Sequence, residues 1–102
     1  MHEYRVIIED DVEDYFLNLV RYVAGNTTLD SALRYVRGIR QEIERLSYLA
    51  PMFPTSKYGI ARLYHPNAKT ITVANRKLTV IFHIQGDYVI VDRIMPSCMI
   101  IY

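Results

Sequence analysis

At Pro51 the spacing of apolar residues along this chain changes. Upstream, Val12, Tyr15, Phe16, Leu19, Val20 and Val23 recur at helical intervals, and so do Leu29, Ala32, Leu33, Val36, Ile39, Ile43, Leu46 and Leu49. Each set lies along one face of an α-helix. Glu9, Asp10, Asp11, Glu13 and Asp14 supply capping oxygens and negative charge where the first helix begins, near Asp11. Gly25-Asn26 ends it, Thr27 or Thr28 caps the second helix, and Pro51 stops that one. Two amphipathic helices joined by a short polar turn form an antiparallel hairpin. Each has one apolar face, so another layer must cover them.

The rest of the chain predicts that layer. Tyr4-Arg5-Val6-Ile7-Ile8 reads as a strand at residues 3–8. After a Pro- and Gly-containing loop over 51–59, Ile60-Ala61-Arg62-Leu63-Tyr64 and Thr70-Ile71-Thr72-Val73 read as strands separated by the turn His65-Pro66-Asn67-Ala68. The runs from Leu78 to Ile84 and from Tyr88 to Ile94 are strands joined by a tight hairpin at Gln85-Gly86-Asp87. The expected fold is α+β. It comprises an N-terminal strand, an antiparallel helix hairpin and an antiparallel β-meander forming one sheet packed on the helices, all in a single domain over 1–102.

Charge is divided unevenly. Residues 1–50 hold six Arg and nine acidic residues, whereas 51–102 hold six Lys or Arg against Asp87 and Asp92, a net −3 and +4. The second half is the basic one. The lone Cys98 has no disulfide partner and reads as a small buried hydrophobe. No apolar stretch is long enough for a signal peptide or membrane helix, which predicts a cytoplasmic protein without a membrane partner. His2, His65 and His83 lack the close spacings of metal ligands, so no metal or cofactor is assigned.

In order and length these elements resemble the RelE/ParE toxin superfamily. The hairpin match runs through Tyr15 to Val23, Asn26-Thr27-Thr28, Ala32, Ile39, Ile43, Leu46 and Pro51. Downstream it continues through Gly59, Arg62, Leu78 to Ile84, Gly86-Asp87 and Val89-Ile90-Val91-Asp92-Arg93-Ile94. The likeness covers about residues 3–97. It implies the toxin of a type II toxin–antitoxin system of the plasmid-stabilisation type, which inhibits growth and binds a cognate antitoxin as a homodimer or a heterotetramer. The hairpin is closer to the ParE branch, associated with DNA gyrase. The alternatives are a RelE-like, ribosome-dependent mRNA endoribonuclease working without metal, and a non-toxic antitoxin-binding homologue. Where nuclease relatives carry a His and further basic residues, this chain has Met95-Pro96-Ser97-Cys98-Met99.

A nuclease reading needs a base near the 2′-hydroxyl, cations at the phosphorane and an acid for the leaving oxygen. Arg62, Arg93 and Lys57 are then the candidate catalytic cations, with Tyr102 at the terminus. Arg62 and Arg93 stand out because each is read as lying inside an apolar strand. Arg76 and Lys77, in a turn, and Tyr64 and Tyr88, whose rings stack on bases or pack the sheet, are candidate binding residues. His83 alternates with Phe82 and Ile84 and so faces away from them; His65 sits in a turn, and either imidazole serves as an acid or base or as a structural group.

Overall fold

The computed structural model describes residues 3–100. The N-terminal strand β1 (Arg5–Ile8) leads into α1 (Asp10–Asn26) and α2 (Leu29–Glu44). Asp10, Asp11 and Glu13 fill the first turn of α1, where carboxylates offset the exposed amides. Of the two threonines, Thr28 is the one that caps α2, its Oγ1 accepting from the Ser31 amide at 3.1 Å. The second helical path is interrupted before its expected stop. A step at Arg45 separates α2 from α3 (Leu46–Leu49), and Pro51 then lies in a 3-10 turn, Ala50–Met52.

The connection to the sheet differs from expectation. Residues 60–64 were expected as a strand, but a one-turn helix, α4 (Gly59–Arg62), occupies the place. The burial pattern explains it: neighbouring Ile60 and Ala61 both turn inward while Leu63 is 83% exposed, which is helical rather than alternating. Arg62 therefore does not lie inside a strand. The turn His65–Ala68 follows as expected, with the Ala68 amide donating to the His65 carbonyl at 3.1 Å.

The strands β2 (Lys69–Val73), β3 (Leu78–Gln85) and β4 (Tyr88–Pro96) form the antiparallel meander, and β1 joins it parallel to β4. The order across the sheet is β1-β4-β3-β2. Gly86, at φ +60, opens the two-residue β3–β4 turn, a conformation that costs glycine little. Val12, Phe16, Val36, Ile39, Ile43 and Leu46 pack from the helices onto Val80, Phe82, Val89, Val91 and Ile94 of the sheet. A smaller cluster, Ala61, Ala68, Ile81 and Met95, lies on the other face, where the segment carrying α4 covers the sheet.

Candidate functional site

Along β4 the inward series runs Val89, Val91 and then Ile94, a step of three where regular alternation requires two. The register shows why. Phe82 pairs with Val91 and Ile81 with Arg93, so Asp92 is an unpaired extra residue, a β-bulge. Without it Arg93 would be next in the buried series and Ile94 would face away. With it Ile94 returns to the core at 1% exposure and Arg93 is exposed.

Arg93 makes no ion pair with a carboxylate among the described residues. Its charge reaches Tyr15 of α1. Burial holds the Tyr15 phenol above its ordinary value, Tyr35 of α2 adds to that shift, and Arg93 opposes it. Both phenols belong to the hairpin, Tyr15 half-buried and Tyr35 exposed.

Behind the bulge lies a constellation that sequence reading left as separate residues. His83 Nδ1 and Asp92 Oδ2 are 2.7 Å apart, with side-chain exposures of 8% and 13%. The other ring nitrogen faces Gln85 Oε1 at 3.4 Å. His65 stacks on His83, ring centroids 4.0 Å apart and planes 3° from parallel. The Asn67 amide donates to His65 Nδ1 at 3.0 Å, so that nitrogen keeps its lone pair and a neutral ring carries its hydrogen on Nε2. His83 does face away from Phe82 and Ile84, as alternation predicts, since both of those join the helix-side core.

The remaining expected site residues are dispersed. Arg62 is exposed on α4, its Nη2 donating to the Lys57 carbonyl at 3.5 Å, and the Lys57 side chain is exposed. It belongs to the segment that covers the outer face of the sheet, the face of Ile81, with which Arg93 is paired across the strands. Tyr64 and Tyr88 are each 43% exposed, and Arg76 and Lys77 project from the β2–β3 turn. Tyr102 and His2 lie outside the described residues. Cys98 is exposed on the 3-10 turn Ser97–Met99 and is not the buried hydrophobe expected, because that turn leaves the sheet at Pro96. No group of three or more metal-ligating side chains occurs among the described residues.

Two concavities flank the helices. One, of about 430 Å³, runs between α1 and α2 away from the sheet. Its floor includes Phe16, Val20 and Val36, with Leu17 and Leu33 at 52% and 44% exposure, and its rim carries Glu13, Asp14, Arg37 and Arg40. The other, of about 670 Å³, lies along the β2 edge between Arg45, Leu49 and Phe53 on one side and Tyr58, Thr79 and Ser97 on the other.

A strand, a helix hairpin and a meander with β1 inserted parallel to the last strand define a ParE-like α+β fold. The chain is similar to a solved chain described as "Chromosomal ParDE TA system from P. aeruginosa", with a TM-score of 0.77 at 15% identity over 94% of this chain and 98% of that one. No family model matches the sequence, and no curated protein does. No helix among the described residues is long and apolar enough to cross a membrane.

Proposed function

We propose that this chain is the toxin of a type II toxin–antitoxin system and that it arrests growth by binding DNA gyrase in the manner of ParE. The observation that carries the reading is the likeness, over nearly the full length of both chains, to a chain of a ParDE system. The chemistry of the site supports binding over RNA cleavage. Both nitrogens of His83 face protein oxygens, and His65 Nδ1 is engaged by a backbone amide. His83 is buried, and the acceptor nitrogen of a neutral His65 ring is already occupied, so neither offers an accessible lone pair as a general base.

Arg93, exposed and with its charge felt at Tyr15, is the target-contact residue in this reading, with Arg76 and Lys77 as further cations. The antitoxin occupies the α1–α2 groove. An amphipathic helix fits there, laying apolar side chains on Leu17 and Leu33 with basic groups toward Glu13 and Asp14 and acidic groups toward Arg37 and Arg40.

Inducing the chain alone in a bacterium should arrest growth, and co-expressing the protein encoded beside it should restore growth. In arrested cells plasmid supercoiling should change while mRNA ends stay intact. New mRNA ends at ribosomal A sites would replace the gyrase reading with the endoribonuclease one, and the absence of arrest would leave a non-toxic antitoxin-binding homologue.

A further inference from the structure

We infer that His83 is a positioning residue: through Asp92 it holds the β4 bulge that turns Arg93 outward, so a buried ring that touches no target sets the aim of the target-contact cation. The role of Arg93 rests on the functional reading above. The geometric claim does not.

A bulge leaves one residue out of the ladder, and something other than ladder hydrogen bonds must hold it. Here the extra residue is Asp92, and the 2.7 Å contact with His83 Nδ1 ties its side chain to the neighbouring strand. His83 is 6% exposed, so water replaces that partner poorly when it is lost. The stacked His65 ring covers it, and His65 is itself fixed by the Asn67 amide. One imidazole therefore joins the strand that carries Arg93 to the turn that follows Arg62. If the bulge closed by one residue, alternation would drive Arg93 toward the main core and Ile94 out of it.

The test uses the full chain with two readouts, growth arrest on induction and titration of the Tyr15 phenol by NMR, which reports Arg93 independently of any target. In Arg93→Ala, Tyr15 should titrate at higher pH than in the natural chain. His83→Leu, which removes the bond to Asp92, should shift Tyr15 in the same direction. It should also weaken arrest about tenfold in the natural background and add little in the Arg93→Ala background, as expected of two residues acting through one contact. Unchanged Tyr15 titration in His83→Leu overturns the inference, as does an equal loss of arrest in both backgrounds. If the natural chain causes no arrest, the functional reading falls and the Tyr15 titration still decides the geometry. Should His83→Leu fail to fold, Asp92→Ala decides: it removes the bond from the other side, so Tyr15 should titrate at higher pH as in Arg93→Ala, and unchanged Tyr15 titration there overturns the claim that the bond holds the bulge.

Discussion

The Tyr4 amide donates to the Ser47 carbonyl at 2.6 Å, filling the place that Pro51 leaves open. In an α-helix the carbonyl of residue 47 accepts from the amide of residue 51, and proline has none to give. The residue that ends the second helical path thereby creates the acceptor that anchors the start of β1. Replacing Pro51 by Ala should let the helix compete for Ser47. Amide exchange across Arg5–Ile8 should quicken, and stability should fall by about 1 kcal/mol. Exchange rates unchanged in β1 would show that the anchor is dispensable.

The first turn of α2 is capped by one hydroxyl. Thr28 Oγ1 satisfies the Ser31 amide, which otherwise has no helical partner. Thr28→Ala should lower stability by about 1 kcal/mol, and Thr28→Asp should retain it, as read by thermal denaturation.

The β2–β3 turn is strained. Ala74, Asn75 and Arg76 are all left-handed, with φ of 53, 57 and 69. The turn is held from outside, by the Glu42 carboxylate on the Ala74 amide at 2.9 Å and by the Ser97 amide on the Lys77 carbonyl at 2.9 Å. Arg76 is exposed, so Arg76→Gly should raise stability by about 1 kcal/mol by relieving the clash of its Cβ. Arg76→Ala, which keeps the Cβ, should not, and equal denaturation midpoints for the two variants would remove strain as the cause.

Leu17 tests the proposed partner groove without touching Arg93. It is half exposed, so under the proposed function Leu17→Asp should leave the fold and growth arrest intact while weakening rescue by an antitoxin. Rescue at natural strength would place the antitoxin elsewhere.

These features differ in how plainly the residues announce them. The hairpin was readable because Val12 to Leu49 keep one helical period and because Thr28 and Pro51 mark its turns. The strand expected at Ile60–Tyr64 failed because five residues with mixed polarity fit either period, and the small Ala61 and Ala68 pack α4 against Ile81 and Met95 instead. The Arg93 bulge had a signal, the step from Val91 to Ile94 in the apolar series, masked by Ile90 between two valines. The His65–His83 stack had none. The rings are eighteen positions apart in the chain, and they meet only because the outer layer folds back across the sheet.

Tyr15 gives the chain a dependence on alkaline pH whose direction is set. Burial is the main cause of its raised pKa, because it disfavours the phenolate. A group that binds its proton more tightly when folded stabilises the fold fully below its unfolded pKa of 10.0, and that contribution is lost as pH climbs through the higher folded value. The natural chain should therefore lose stability relative to Tyr15→Phe from about pH 10 upward, with a constant difference below that. Arg93 opposes the shift, so Arg93→Ala should move the phenol's titration to still higher pH. Urea denaturation of the three chains between pH 8 and pH 11 measures this, and parallel curves across that range would place Tyr15 in water rather than against α2 and Arg93.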